Sequence, residues 1–323
     1  MSVLSDQTPV ELLVRSVQWA SDGVVTLDLV DPEGRRLPAW DAGAHIDLVL
    51  PSGLIRQYSL CGDLNDHRTY RVGVLRDANS RGGSIEIHDT ALVGRRLAVR
   101  GPRNHFALVD ASRFLFLAGG IGVTPMIPML QEAERRGTPW HLVYGGRSRA
   151  TMAFLDEIAR RTDGTYEVIT EEETGYPDFD KILSGVDDGT AVYCCGPTAM
   201  IEVVEKKSAQ YLEPGQLHIE RFTAAPTDEN AEPEDNDTFE VELARSGVTL
   251  TVPPDRSLLR TVLEVVPTFL YSCEEGYCGT CEANCLDGEV DHRDTVLTDE
   301  EKAEGKIMLC VSRAKSRRLV LDL

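Results

Sequence analysis

The chain contains no uninterrupted apolar run of about 18 residues, the length at which a membrane-spanning helix becomes a candidate. Met1 to Val10 lack a basic stretch followed by an apolar one, which argues against a secretory leader. Positive charge is scarce: 33 Lys and Arg stand against 53 Asp and Glu, for a net charge of −20. Nucleic acids and anionic membranes need a basic surface, so neither is an expected partner. Acidity of this size fits plain solubility or the steering of a basic protein partner. The Gly-x-Gly-x-x-Gly fingerprint is absent, so no dinucleotide site can be argued from it. Internal repeats are absent too.

What is present is apolar material for more than one core. With 323 residues and 42% hydrophobic content, two or three domains are expected. The first segment, 1–109, reads as β-structure: 24–30, 45–50 and 70–75 are strand-like, and turn signals at Asp31-Pro32-Glu33-Gly34 and Pro51-Ser52-Gly53 follow the first two. Short strands at this spacing predict a sandwich or antiparallel barrel. The second segment, 110–223, alternates strands (114–118, 141–144, 166–170, 191–194) with helical stretches, the signature of a parallel doubly wound sheet. An acidic linker, 224–237, has six acids, two prolines and no aromatic or basic residue, and is expected to be extended. The third segment, 238–323, opens with a hairpin across Ser246-Gly247, then a helix over about 257–266.

The third segment also holds the most specific motif. Cys273, Cys278 and Cys281 are spaced Cys-x4-Cys-x2-Cys, and 28 residues separate Cys281 from Cys310. Plant-type ferredoxins hold two irons of a [2Fe–2S] cluster with this spacing. Gly276 and Gly279 can take positive φ and bring backbone N–H groups toward sulfur. The alternatives are a zinc site or buried structural thiols; zinc sites usually pair two short Cys or His elements, and one is present. Cys194 and Cys195 are adjacent, poor geometry for a bridge, and Cys61 and Cys285 read as ordinary thiols. A reducing cytoplasm is the natural location. A cluster moves single electrons, so the rest of the chain must supply or accept them.

Two further groups of residues suit that task. Arg56-Gln57-Tyr58-Ser59-Leu60 ends a strand, with Arg56, Tyr58 and Leu60 on one face and Gln57 and Ser59 on the other. A guanidinium, an aromatic ring and a hydroxyl suit a phosphorylated aromatic cofactor, and Arg81-Gly82-Gly83-Ser84 reads as a phosphate nest opening a helix. Alone, each motif also fits a surface strand or a tight turn; together they favour a flavin. Gly119-Gly120-Ile121-Gly122-Val123-Thr124-Pro125 lies between a strand and a helix, where open α/β sheets bind nucleotides. Cys195-Gly196-Pro197 is a second strand-end turn, leading into a helix that carries Met200. Either turn alone reads equally well as a connection without a ligand.

These motifs, with Gly101-Pro102-Arg103-Asn104-His105-Phe106 and the stretch from Asp291 through Cys310-Val311-Ser312-Arg313 to Leu323, stand in an order that resembles the phthalate dioxygenase reductase family over nearly the whole chain. The resemblance implies an FMN-binding antiparallel β-barrel, an NAD(P)-binding α/β domain and an α+β, β-grasp-like ferredoxin domain. It implies FMN, though enzymes of this domain order with FAD exist. It gives Arg56, Tyr58 and Ser59 to the flavin, Arg81 to Ser84 to its phosphate, Val74, Leu75 and Arg76 to its edge and Thr124 to its ring. Phe222 matches an aromatic where nicotinamide enters; Gly120 to Gly122 and Cys195 to Pro197 match the nucleotide site, with Arg147 and Ser148 toward adenosine. The implied activity is NADH oxidation with single-electron export to a separate Rieske-type oxygenase, with no catalytic acid or base. A P450 or free ferredoxin as acceptor, NADPH as donor (through Arg147 and Arg149) and a redox-sensing module remain open. The sequence departs from the family at Pro267 to Ser272, ahead of the cysteines.

Overall fold

The computed structural model describes residues 9–78, 80, 82–222 and 237–323. The expected linker, 224–237, lies outside them except for Asp237, as does Arg81. The chain divides into two compact units, Met1–Arg221 and Phe222–Leu323. No described helix is long and apolar enough to cross a membrane.

The first unit begins with β1 (Val10–Ser21), β2 (Val24–Val30), β3 (His45–Val49), β4 (Ile55–Ser59), β5 (Thr69–Leu75), α1 (Gly83–Asp89) and β6 (Arg96–Arg103). The strands form an antiparallel sheet in the order β4-β3-β6-β1-β2-β5. Asp22-Gly23 closes the first hairpin, and Gly23 takes φ 76, a conformation that costs other residues strain. Alternation sends Leu12, Val14, Leu27, Leu29, Ile46, Leu48, Val72 and Val99 into one fully buried core. Each such side chain contributes about 1.5–3 kcal/mol on leaving water.

The same unit continues with β7 (Arg113–Gly119), α2 (Met126–Arg136), β8 (Trp140–Gly146), α3 (Leu155–Ala159), β9 (Thr165–Thr170), α4 (Phe179–Leu183), β10 (Thr190–Cys195), α5 (Thr198–Tyr211) and β11 (Leu217–Glu220). These strands are all parallel, in the order β11-β10-β7-β8-β9. β7 and β10 are buried on both faces, hence their near-continuous apolar runs. Chain order reverses between β7 and β10, the switch point at which such sheets open a crevice at their carboxyl ends. Phe154 takes φ 64 just ahead of α3.

In the second unit β12 (Phe239–Leu243), β13 (Val248–Val252), α6 (Leu258–Val262), β14 (Glu282–Asp287), β15 (Val290–Asp291), α7 (Asp299–Ala303), β16 (Lys306–Met308), β17 (Arg313–Ala314) and β18 (Arg318–Leu321) follow in turn. Five of the strands form a mixed sheet in the order β13-β12-β18-β14-β16, with β12 and β18 parallel. The hairpin register pairs Phe239 with Val252 and Leu243 with Val248. α6 is shorter than the sequence suggested: Ser257 caps it, and it gives way to looser turns before Pro267, which disfavours helix in the residue preceding it. Buried Arg313 ties the unit together by donating to the carbonyls of Asp237, Pro253 and Arg256.

Candidate functional site

The cysteine loop is built almost entirely from neighbours in sequence. Cys273, Cys278 and Cys281 precede β14, and Cys310 follows β16; their exposures run from 2% to 7%. The thiols of Cys273 and Cys278, Cys273 and Cys310, and Cys281 and Cys310 are within hydrogen-bonding reach. Contact with Cys273, then burial, pushes the Cys278 thiol well up. Four crowded thiols of this kind ionise together only when a cation offsets their charge. Among the described residues no three His, Cys, Asp or Glu side chains gather around one metal-ion position. A two-iron cluster does not require that, since it divides four thiolates between its irons. The donor set fits [2Fe–2S].

Backbone conformation explains how the loop turns its amides inward. Glu274, Gly276 and Gly279 have φ of 61, 76 and 72. The Glu275 amide donates to Cys273 Sγ at 3.3 Å, and the Gly276 amide donates to Cys310. Left-handed φ is costly for a glutamate, and Arg260 holds Glu274 there through bonds of 2.9 and 2.6 Å. A Cβ on Gly276 would stand 2.7 Å from Val311 Cγ2, so the close approach itself demands glycine.

The flavin candidates line a gap in the first sheet. β4 and β5 are its end strands and meet at a single bridge, Leu60 to Val72. Unpaired strand edges there can accept a planar, hydrogen-bonding ring. On β4, Arg56 and Tyr58 stand opposite Leu48 and Ile46, and Ser59 opposite His45, as the alternation predicted. On β5, Gly73 receives the Thr124 side chain: a Cβ on Gly73 would lie 2.8 Å from Thr124 Cγ2. Val74 is buried, Leu75 is 40% exposed and Arg76 pairs with Asp89 at 3.0 Å. The Arg56 side chain lies directly over Gly83, where a Cβ would be 2.5 Å from its Cγ. Arg56, Gly82, Gly83 and Ser84 therefore come together, although the Ser84 hydroxyl already bonds Ser80 and the Asp77 amide. Gln57 is partly buried, and its Nε2 has no protein partner.

At the switch point the two glycine turns interlock. A Cβ on Gly122 would stand 2.3 Å from the Cys195 carbonyl oxygen, and one on Gly119 would stand 2.6 Å from both Met200 Sδ and Pro197 Cδ. The turn after β7 is a 3-10 segment, Gly120–Val123, with Gly120 at φ 52; Thr124 Oγ1 donates to the Ile121 carbonyl at 2.9 Å. Gly120, Ile121, Gly122, Cys195, Gly196, Pro197 and Met200 thus share one place. Arg147 is exposed beyond β8, and Ser148 is occupied in a capping box with Thr151. Phe222 is partly buried, two residues past the end of β11.

One residue that the sequence did not reveal joins the two halves. Glu220, at the carboxyl end of β11, is half-buried and accepts a hydrogen bond from Ser59 Oγ at 3.3 Å. Burial raises its carboxyl pKa to about 8 against the opposing pull of the Ser59 bond. Cys195, its ladder partner, is likewise pushed up by burial. The signal available in the sequence was an acid ending an otherwise half-apolar strand, which any surface strand can show.

Residues 116–206 match the model of an oxidoreductase NAD-binding domain, and residues 241–315 that of a 2Fe-2S iron-sulfur cluster binding domain. The chain is 40% identical over 327 residues to phenoxybenzoate dioxygenase subunit beta of Ectopseudomonas oleovorans, covering all of both chains. It is 37% identical to phthalate dioxygenase reductase of Burkholderia cepacia, over 97% of each chain. A solved phthalate dioxygenase reductase, described as a modular structure for electron transfer from pyridine nucleotides to [2Fe-2S], superposes with TM-score 0.69 at 37% identity, over 98% of each chain. An intact type IV self-sufficient cytochrome P450 monooxygenase superposes with TM-score 0.89 at 41% identity; 98% of this chain matches 41% of that one.

Proposed function

Because the chain belongs to the phthalate dioxygenase reductase family and is an electron-transfer oxidoreductase, we propose that it oxidises NADH, binds FMN, and delivers electrons singly through its [2Fe–2S] cluster to a separate Rieske-type oxygenase. The observation that carries this reading is the contact of Ser59 with Glu220, the ladder partner of Cys195, across both sheets of the first unit, in a chain that also gathers four cysteines. Nicotinamide yields electrons as a hydride pair and the cluster takes one at a time; the flavin supplies the conversion between them.

Each residue then has a task. Arg56 and Gly82 to Ser84, with Arg81, hold the phosphate; Tyr58 and the β5 edge from Val74 to Arg76 hold the ring; Ser59 and Thr124 fix its reactive side. The interlocked turns position pyrophosphate and nicotinamide, since hydride transfer is a problem of placement within about 3–3.5 Å. Phe222 belongs to the nicotinamide entry side, and Arg147 and Ser148 to the adenosine side. Cys273, Cys278, Cys281 and Cys310 ligate the irons. The organisation we assign is an antiparallel barrel over 1–109, a nucleotide domain over 110–223, an acidic linker over 224–237 and a β-grasp-like ferredoxin domain over 238–323. A reducing cytoplasm suits eight cysteines of which none forms a disulfide.

A haem acceptor is the second reading, supported by the likeness to the self-sufficient P450. The test is a reconstituted mixture. Purified protein is expected to carry one flavin and two irons per chain, to release FMN on denaturation and to reduce cytochrome c with NADH. FAD in the extract would replace the flavin assignment, and failure to oxidise NADH would leave a redox-sensing module. Comparing NADH oxidation with a Rieske oxygenase against a P450 decides the acceptor.

A further inference from the structure

The outer face of β3, β4 and β6 is polar yet buried. His45, Asp47 and Ser59 are 2%, 0% and 3% exposed. The ladders place His45 opposite Ser59 and Arg103, and Asp47 opposite Gln57 and Arg100. Asp47 Oδ2 accepts from Arg103 Nη2 at 2.7 Å. Several polar atoms around it have no protein partner: both ring nitrogens of His45, Asp47 Oδ1, Gln57 Nε2 and Arg100 Nε. Leaving such atoms dry is costly, and the usual remedy is an ordered water that bridges several partners. The His45 ring stacks on that of His105, with centroids 5.7 Å apart and planes at 25°. His105 is exposed, so the pair runs from the buried seam to solvent.

We propose that His45 and His105, with water held among Asp47, Gln57 and Arg100, form the route by which the proton of NADH oxidation leaves the Ser59–Glu220 pair. The inference rests on the function proposed above. Its balance is fixed: NADH gives NAD+ and a hydride, which carries two electrons and a proton together; that proton is freed only as the electrons leave singly to the acceptor protein, and it must then reach bulk water. Glu220, whose carboxyl holds a proton below about pH 8, passes that proton on and regains the freed one. Handing it on, its O–H breaks as a proton bonds to Ser59 Oγ, and Ser59 releases its own hydroxyl proton to a His45 ring nitrogen. The opposite His45 nitrogen gives up its proton through water to His105. Cross-strand neighbours have Cβ atoms about 4.5–5.5 Å apart, within reach of this hand-off directly or through one water. Burial, then the charge of Arg103 and then His105, keeps His45 neutral, and the neutral ring can accept on one nitrogen while donating from the other. The groups facing His45 are Ser59 and Gln57 from β4, Arg103 and Arg100 from β6, Asp47 from its own strand, His105 from the loop, and Glu220 through Ser59.

Two measurements test the route. NADH-reduced holoenzyme is mixed with cytochrome c in weak buffer, and an indicator dye follows proton release while cytochrome c absorbance follows electron delivery. His45→Gln is expected to slow proton release relative to electron delivery about a hundredfold, the low end of what one acid–base relay contributes. His105→Phe, a surface change that leaves the core intact, is expected to slow it by a smaller factor in the same ratio. Proton release that keeps pace with electron delivery in the folded variants overturns the route. Independently of turnover, flavin-free protein labelled with 15N-histidine is expected to show magnetisation transfer from water to the His45 ring N–H, the signal missing from His45→Gln. A ring N–H isolated from water overturns it as well. A wild-type protein that does not oxidise NADH brings down the proposed function instead, and the water measurement still decides the path.

Discussion

The cysteine loop and the proposed flavin–nucleotide seam are assembled by opposite means. In the loop, ligands five and three residues apart are pulled together by three consecutive turns of the chain with left-handed φ. In the seam, Ser59 and Glu220 touch across 161 residues, and the contact exists only because an antiparallel and a parallel sheet share one compact unit. A local site carries its geometry in spacing. A distributed one carries it in topology, so its residues look ordinary in their own neighbourhoods. The loop tolerates loss of the seam, and the seam tolerates loss of the loop, only if the two are chemically modular.

The sharpest way to break that modularity is Cys278→Ser. A hydroxyl is a harder, poorer iron ligand than thiolate, so the variant is expected to lose most of its iron and nearly all cytochrome c reduction. NADH is still expected to bleach the flavin. Iron content, visible spectra and anaerobic bleaching check both halves, and a variant that no longer bleaches ends the modular picture.

The next effect belongs to the seam. Glu220 has its pKa raised to about 8 from an ordinary value of 4.5, so between these two values the native state holds a proton the unfolded chain has released. Stability from this group therefore falls as pH rises from about 4.5 to about 8 and stays low above that. At about 1.4 kcal/mol per pKa unit, the loss is on the order of a few kcal/mol. Urea unfolding of flavin-free protein at pH 5.5 and 8.5 measures it, and Glu220→Gln is expected to flatten that part of the profile. Equal slopes in wild type and variant would mean that Glu220 ionises normally.

Smaller still is the cost of separating the interlocked turns. Gly119→Ala places a Cβ 2.6 Å from Met200 Sδ and from Pro197 Cδ. Overpacking of this kind costs about 1–3 kcal/mol. If it falls on the nucleotide site, the KM for NADH rises about tenfold for each 1.4 kcal/mol, while iron content stays at wild type. A rise in KM with loss of cluster would show that the two regions are not independent.

How much of this was legible in advance follows the same division. Four cysteines and two glycines were enough to point to a 2Fe-2S domain, which the match over 241–315 bears out, because ligand spacing and φ requirements are written along the chain. The strands at 24–30 and 45–50 and the hairpin at 239–252 were readable from alternation and turn residues. The interlocking of Gly119 and Gly122 with Cys195 to Met200 was not, since each turn alone is a plain connection; only the reversal of strand order beside β7 makes them neighbours. Glu220 and His45 were invisible for a related reason. Each alternates correctly on its own strand, and contact with residues far along the chain, Ser59 for Glu220 and His105 for His45, is what sets it apart from a surface polar residue. The end of α6 was misjudged because apolar spacing runs on to Val266, whereas Pro267 weakens the last turns.

The smallest expected effect separates the regions by salt. On the proposed function the acceptor is a second protein, so a net charge of −20 can steer encounter over distances that salt screens. Screening sets in over about 8 Å at physiological ionic strength. Delivery from the cluster to a basic acceptor is expected to slow a few-fold as salt rises across this range, because steering acts on the encounter rate. On the proposed site, flavin bleaching by NADH depends on short-range contacts such as Ser59 to Glu220, part-buried, and Thr124 on Gly73, which salt screens little. Stopped-flow at low and high salt, following flavin, cluster and acceptor absorbance separately, resolves the three steps. If delivery ignores salt, the acidity serves solubility alone. If the flavin-to-cluster step is the one that responds, charge governs how the tethered ferredoxin part engages its donor, and the acidic residues between 224 and 237 become the first to neutralise.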